Sequence, residues 1–129
     1  MTKERLESYQ QLKHEADSIY RICVDLEKEK LRLNSPPHDM PKSTNKRTLE
    51  AVMAEYDVMC WKFHQKHLEA LRVLKEIEDF IAGLDHVLHQ NILRLKYVEG
   101  KKWWQVAEQL HYSREHIVRT VAKIFEDAV

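Results

Sequence analysis

Two long stretches of this chain repeat apolar residues at alternating steps of three and four positions. The first stretch runs from about residue 3 to residue 33, and its repeating positions are Tyr9, Leu12, Ala16, Ile19, Cys23, Leu26, Lys30 and Leu33. The repeating positions of the second stretch are Leu49, Met53, Tyr56, Cys60, Phe63, His67, Ala70, Leu74, Ile77, Ile81 and Leu84. Such spacing places side chains on one stripe of an α-helix, and an apolar stripe needs a partner helix to cover it. The repeats therefore predict two long helices that pack against each other.

Residues 34–47, with the sequence NSPPHDMPKSTNKR, separate the two repeats. Proline lacks a backbone N–H and disfavours helical geometry in the residue before it, so a loop is predicted here. Two helices joined by one loop are expected to form an antiparallel hairpin, and this hairpin would bring Cys23 close to Cys60. Thr48 is expected to cap the second helix. The loop is locally basic, and both a solvated connection and a binding element remain open for it.

A third helix is predicted from His86 to Tyr97. Gly83 breaks the helix before it, and Asp85 is expected to cap the new one. The apolar residues expected to face the core are Val87, Leu88, Ile92, Leu93 and Leu95. Gly100 supplies the geometry of the following turn, because glycine adopts backbone conformations that other residues resist.

The segment WWQVAEQLHYSREHIVRTVAKIF, residues 103–125, predicts two short helices joined by a tight turn. The buried stripe of the first helix is Trp103, Val106, Ala107 and Leu110, and that of the second is Ile117, Val121, Ile124 and Phe125. Ser113 is a favourable N-cap for the second helix, because its hydroxyl can accept a hydrogen bond from an unpaired backbone N–H. This layout is typical of a helix-turn-helix, whose second helix enters the major groove of DNA.

Together these patterns predict an all-α fold, an antiparallel helical hairpin (coiled coil) followed by a small helical bundle that contains the helix-turn-helix. The expected domains are residues 1–75 for the hairpin, with its loop, and residues 76–129 for the helix-turn-helix domain. The chain contains no run of apolar residues long enough to span a membrane, and its start, MTKERLESYQ, is too polar for a secretory signal. The expected compartment is therefore the cytoplasm.

Composition limits the classes of function that this chain can have. It carries 21 basic and 21 acidic residues, so any contact with DNA has to come from a local basic patch. The sequence shows no Ser/His/Asp order, paired carboxylates or glycine-rich phosphate loop, so neither an enzyme nor a cofactor is expected. Five residues have helical spacing that could place them around a metal, namely Cys60, His64, His67, His86 and His89. Neither CxxC nor HExxH accompanies them, so a metal site is not expected.

From Leu93 to Lys123 the chain resembles region four of bacterial sigma factors, the helix-turn-helix that reads the −35 promoter element. The run YVEGKKWWQVAEQLHYSREHIVRTVAKIF carries this resemblance, with a Tyr and Gly turn, a first helix that ends in leucine and a Ser-Arg-Glu opening of the second. With its helical hairpin and SPPHDMP loop, the whole chain is also similar to small phage and prophage regulators of the ArpU and RinA type. These proteins place a coiled coil before a region-four-like domain.

The region-four resemblance implies which residues would contact DNA. The residues in base-facing positions are Arg114, Glu115, Val118 and Arg119, with Lys123 nearer to the backbone. Lys101, Lys102 and Ser113 can reach phosphates. Primary sigma factors often carry arginine at the position of Val118, so their −35 preference is not expected to transfer. The chain also lacks a stretch that resembles the sigma region for −10 opening, so it is not a complete sigma factor.

The expected function is a sequence-specific, DNA-binding transcription regulator of phage or prophage type. Its expected partners are double-stranded DNA, RNA polymerase and a second copy of the chain in a homodimer. The alternative is a coiled-coil protein-interaction module, such as a phage assembly or terminase-associated adaptor. Charge placement discriminates between them. DNA binding gains if one face is clear of the carboxylates Glu99, Glu108 and Asp127 and carries the basic residues Arg114, Arg119, Lys123, Lys101 and Lys102. It loses if carboxylates cover that face.

Overall fold

The structure is a computed structural model that describes residues 1–34 and 48–127 of the chain. Every regular element in these ranges is a helix, so the all-α prediction is confirmed. The helices are α1 (Lys3–Leu33), α2 (Leu49–Ala82), α3 (Val87–Leu93), α4 (Trp103–Leu110) and α5 (Arg114–Asp127), and a π-helical turn (Arg94–Val98) directly follows α3. None of the helices in the described ranges has the length and apolar character that crossing a membrane requires.

Helices α1 and α2 pack together as a hairpin, which confirms the prediction from the two apolar repeats. Thr48 caps α2 as expected, because the Ala51 backbone N–H donates a hydrogen bond to Thr48 Oγ1 at 3.1 Å. The loop predicted at residues 34–47 lies outside the described residues, apart from Asn34.

The chain divides into two compact units. Residues 14–68 form one, called here the hairpin unit, and residues 1–13 together with 69–129 form the other, called the composite unit. The domains expected from the sequence, 1–75 and 76–129, divide the chain differently. Periodicity along one segment cannot show that the first turns of α1 associate with helices from the far end of the chain.

The hairpin unit is built on the paired stripes of α1 and α2. Every repeat position of α1 in this unit is buried or half-buried. Cys23 and Cys60 are neighbours, as predicted, and both are free thiols. Burial raises the pKa of the Cys23 thiol, and the adjacent Cys60 raises it further. Across the pair of helices the rings of Tyr20 and Phe63 lie 5.3 Å apart, and the Lys30 ammonium lies 4.9 Å from the centre of the Tyr56 ring.

Two repeat positions predicted for the buried stripe of α2 are wrong. Met53 and His67 are exposed, whereas Val52 is fully buried. Neighbouring residues point about 100° apart around an α-helix, so the buried stripe near the start of α2 is rotated by one residue. His67 instead lies at the edge of the stripe, where its ring stacks on Phe63 at 5.3 Å.

The composite unit has two buried clusters. The first contains Leu6, Tyr9, Ala70, Val73, Ile77, Ile81, Leu93, Tyr97 and Ile124. The second contains Ile92, Leu95, Val106, Ala107, Ile117 and Val121. Helix α5 contributes to both clusters, so its inner side is fixed by residues from several segments.

The segment between α2 and α4 departs from the predicted single helix. Helix α3 begins at Val87 with His86 in the N-cap position, so Asp85 lies one residue too early to cap it. Val87 is exposed rather than buried. After α3 the Glu99 N–H donates to the Arg94 carbonyl at 2.9 Å, five residues back, which makes the turn π-helical. Gly100 closes the segment with a φ of 74°, as the predicted turn requires.

Candidate nucleic-acid interface

Helices α4 and α5 are joined by the tight turn that the sequence predicts. His111 ends α4 in the left-handed conformation, with a φ of 62°, and the Tyr112 N–H donates to the Ala107 carbonyl at 3.1 Å. Ser113 then caps α5, because the His116 N–H donates to Ser113 Oγ at 3.1 Å. A non-glycine residue with positive φ carries a strain of roughly 1–2 kcal/mol, which the hydrogen bonds of the turn offset. The geometry between the two helices is therefore well defined.

The inner sides of α4 and α5 match the predicted stripes. In α4, Val106 and Ala107 are buried, and in α5, Ile117, Val121 and Ile124 are buried. All of them except Ile124, which belongs to the first cluster, pack with Ile92 and Leu95 from the preceding segment. Because three buried positions fix the rotation of α5 about its own axis, the direction of its outer side is fixed as well.

The outer side of α5 carries the four side chains predicted to face bases. Arg114, Glu115, Val118 and Arg119 are all exposed, and together they line one shallow depression. Arg119 Nε donates to the Glu115 backbone carbonyl at 3.4 Å, which draws this guanidinium toward the start of the helix. The structure therefore brings these four predicted residues together on an accessible surface.

Lys123 lies apart from this depression. It is exposed, but it lines a different cavity together with the carboxylates Asp79 and Asp85. Nearby carboxylates reduce the attraction of a lysine for phosphate. The structure therefore does not bring Lys123 together with the four base-facing residues predicted on α5.

Lys101 and Lys102 precede α4 and are held by backbone hydrogen bonds. The Lys101 N–H donates to the Leu95 carbonyl at 3.0 Å, and the Lys102 N–H donates to Gln105 Oε1 at 2.9 Å. The Lys102 side chain is exposed, whereas that of Lys101 is half-buried. Trp103, the next residue, lines a cleft with Val118 and Ala122 of α5. The two lysines therefore lie just before the start of α4, and this start adjoins the middle of α5.

Comparison with known proteins identifies the family. Residues 30–124 match the model of a family with the description "Protein of unknown function (DUF1492)". The chain belongs to the DUF1492 family. The matched range includes all eight residues predicted to contact DNA. No curated protein and no solved structure matches the chain.

Sequence reasoning missed two lysines beside the helix-turn-helix of this DUF1492 protein. The Lys96 ammonium lies 4.8 Å from the centre of the Trp103 ring, and Lys3 lines the same cleft as Trp103. Lys96 lies in a segment predicted to be an ordinary helix, so its direction could not be foreseen. Lys3 lies far away in sequence and outside the range that matches the DUF1492 model.

Two of the residues considered for a metal site, His86 and His89, are neighbours in this DUF1492 chain. The rings of His86 and His89 lie 4.8 Å apart beside Asp79 and Asp85. Within residues 1–34 and 48–127, however, no three His, Cys, Asp or Glu side chains are arranged to hold a metal ion.

Trp61 in the hairpin unit is 64% exposed and Trp104 in α4 is 56% exposed. Exposed tryptophans favour interfaces, because the indole combines a large apolar area with an N–H donor.

Proposed function

We propose that this DUF1492 protein is a cytoplasmic, sequence-specific DNA-binding transcription regulator of phage or prophage type, which reads DNA with α5. The observation that carries this proposal is the outer side of α5. Arg114, Glu115, Val118 and Arg119 share one open depression, while the opposite side of the same helix is buried in two apolar clusters. A helix held in this way can present side chains to a major groove without rotating.

The chemistry of the four side chains suits the edges of base pairs. An arginine can donate two hydrogen bonds to O6 and N7 of guanine, and a glutamate can accept one from N4 of cytosine. Val118 can contact only the methyl group of thymine. The four residues would therefore distinguish base pairs through both hydrogen bonds and an apolar contact.

Phosphate contacts would come from the start of each helix in the pair. Lys102 has an exposed ammonium beside α4, and Lys101 is its neighbour. The Ser113 hydroxyl accepts the capping hydrogen bond with its oxygen, so its proton can still be donated to a phosphate. Such contacts position a protein on DNA without reading sequence.

A homodimer on DNA is part of this proposal, and RNA polymerase is its proposed protein partner. One helix-turn-helix covers few base pairs, so high specificity usually requires two copies on paired half-sites. Light scattering of the protein with and without a DNA site measures its oligomeric state directly. A mass that stays monomeric under both conditions would contradict the dimer.

The decisive experiment is selection of binding sites from random duplex DNA, followed by fluorescence anisotropy on matched and mismatched duplexes. Arg114→Ala and Arg119→Ala should each weaken binding to the selected site by roughly 1–3 kcal/mol and relax preference at one position. Lys102→Ala should weaken all sequences alike. Arg21→Ala removes an exposed arginine of the hairpin unit and serves as the matched control. If both α5 variants fold and bind like the unmodified protein, α5 does not read DNA.

A second candidate function is a coiled-coil interaction module, such as a phage assembly or terminase-associated adaptor. The exposure of Trp61 and Val58 on α2 favours it, because large apolar side chains on a helical hairpin are suited to a protein partner. Under this alternative, the selection would return no preferred sequence. Trp61→Ser would then reduce self-association or partner binding, whereas Arg119→Ala would leave both unchanged.

A further inference from the structure

The first turns of α1 are fixed to the composite unit by specific contacts. Gln10 Nε2 donates to the carbonyls of Tyr97 and Val98 at 3.1 and 2.8 Å, and Leu6 is fully buried. Arg5 makes two hydrogen bonds to the Glu76 carboxylate, at 2.8 and 2.9 Å. The start of α1 is therefore a defined part of the surface beside α4 and α5.

This placement brings Lys3 to the cleft between α4 and α5. Lys3 lines this cleft together with Trp103 of α4 and Val118 of α5. Val118 also lines the depression that contains the two arginines of α5. A DNA strand bordering the groove read by α5 would thus pass close to the start of α1.

Lys96 approaches the same tryptophan from the preceding segment. Its ammonium lies 4.8 Å from the centre of the Trp103 ring, a cation–π contact that orients the side chain toward the start of α4. Lys96 therefore contacts the Trp103 ring, Lys3 from the start of the chain lines the same cleft as Trp103, and Lys102 directly precedes Trp103.

These three lysines give a chain of zero net charge the local basic patch that DNA binding requires. Two carboxylates of α1 lie close in sequence to Lys3, namely Glu4 and Glu7. Glu7 acts on the buried Tyr97, where its charge contributes to raising the pKa of the phenol, after the larger effect of burial. Glu4 and Glu7 are both exposed, and neither lines the cleft that contains Lys3 and Trp103.

We infer that Lys3, Lys96 and Lys102 form a phosphate-contacting surface around Trp103, so that the start of α1 takes part in binding the DNA backbone. This inference rests on the proposed function. It adds to that function two DNA contacts, Lys3 and Lys96, both of which lie outside the helix-turn-helix segment of residues 103–125. It also means that the packing of the first turns of α1 on the later helices determines part of the affinity for DNA.

The test measures the salt dependence of binding to the selected duplex. Each phosphate contact contributes about 0.9 to the slope of log K against log salt concentration, so Lys3→Ala and Lys96→Met should each lower the slope by about that amount. Methionine preserves an apolar stem over the Trp103 ring. Lys28→Ala removes the same charge from an exposed position of α1 in the hairpin unit and should leave the slope unchanged. Circular dichroism and thermal unfolding establish that each variant keeps its fold.

The possible outcomes separate this inference from the proposed function. Lower slopes for Lys3→Ala and Lys96→Met, with an unchanged slope for Lys28→Ala, support the inference. If the slope is unchanged for Lys3→Ala and Lys96→Met but lower for Lys102→Ala, the inference is overturned and the proposed function stays intact. If Lys3→Ala and Lys28→Ala lowered the slope by the same amount, the effect would come from the total charge of the protein, and the inference would also be overturned. If the unmodified protein selects no DNA sequence, the proposed function itself fails.

Discussion

The two units of this molecule bury their apolar residues in different ways. In the hairpin unit two helices face each other, and the residues that they bury are Ala16, Cys23, Leu26 and Val52. In the composite unit, segments of α1 and α2 combine with the three later helices. Of the ten largest fully buried side chains within the described ranges, Val52 alone belongs to the hairpin unit. Two helices cover one stripe on each other, whereas several helices enclose a side chain from all directions.

This difference bears on where each proposed function would lie. The outer side of α5 belongs to the unit with the enclosed core, so its side chains have the rigid support that sequence-specific recognition needs. The hairpin unit exposes large apolar side chains, including Tyr20, Val58 and Trp61, as the composite unit does at Trp104 and Tyr112. Such a surface is suited to association with another protein. The enclosed core therefore favours DNA recognition in the composite unit, whereas the exposed apolar side chains do not by themselves distinguish the two units.

The largest effect is expected from truncating the core under α5. Ile117 is fully buried among five other residues, so Ile117→Ala should lower the free energy of unfolding by about 3–4 kcal/mol. Leu26→Ala, the matched change in the hairpin unit, should cost only about 2 kcal/mol, because an interface of two helices relaxes more readily. Urea denaturation followed by circular dichroism measures both values. Equal losses, or a larger loss for Leu26→Ala, would contradict the contrast between the two units.

A smaller effect, restricted to alkaline pH, is expected from Tyr97. Burial raises the pKa of Tyr97 to about 12, and its buried hydroxyl has no hydrogen-bond partner within the described part of the chain. The unfolded chain releases this proton near the ordinary tyrosine pKa of about 10, whereas the folded protein keeps it until about pH 12. The contribution to stability is therefore complete below about pH 10 and is lost as the pH rises to about 12.

Tyr97→Phe removes this titration and isolates its contribution. Between about pH 9 and pH 12 the unmodified protein should lose about 2–3 kcal/mol more stability than the variant. At neutral pH the substitution should have little effect, because it also removes an unsatisfied buried hydroxyl. Urea denaturation at several pH values tests both statements. If the free energy of unfolding had the same pH dependence in the two proteins, the folded state would not protect the phenol from ionisation.

Local periodicity was sufficient to predict α1, α2, α4 and α5 and the outer side of α5. The spacing of Ile117, Val121 and Ile124 defines the buried stripe, and Ser113 marks the start of the helix, so the positions opposite the stripe follow directly. The same reasoning predicted the contact between Cys23 and Cys60, because an antiparallel hairpin sets the register of both helices. The features of α5 depend on residues that are close in sequence. The contact between the two cysteines depends only on the antiparallel pairing of two helices.

Other features depend on contacts that a sequence pattern does not contain. Periodicity shows which side of a helix is buried but not which distant segment covers it, so the approach of Lys3 to Trp103 could not be predicted. The π-helical turn adds one residue to a turn without a distinctive residue type, and it changes the directions of Lys96 and Tyr97. His111 adopts a conformation usual for glycine, which its residue type does not suggest.

The smallest predicted effect compares two helix caps, one in each unit. Ser113 caps α5 in the composite unit and Thr48 caps α2 in the hairpin unit, each through a hydrogen bond of 3.1 Å from the backbone N–H three residues later. Ser113→Ala should lower the free energy of unfolding by about 1 kcal/mol, because the freed N–H loses its acceptor. Thr48→Ala should cost less, since the start of α2 has fewer buried contacts and can unravel locally.

Urea denaturation gives both stabilities, and hydrogen exchange of the amides of α2 and α5 shows where each loss occurs. Faster exchange confined to the first turn of α2 is expected for Thr48→Ala. For Ser113→Ala, exchange should increase along α5, because the cap and the core of that helix belong to one cooperative unit. If Thr48→Ala destabilised the protein as much as Ser113→Ala, the start of α2 would be as firmly integrated as α5, and the distinction between the two units would not extend to their ends.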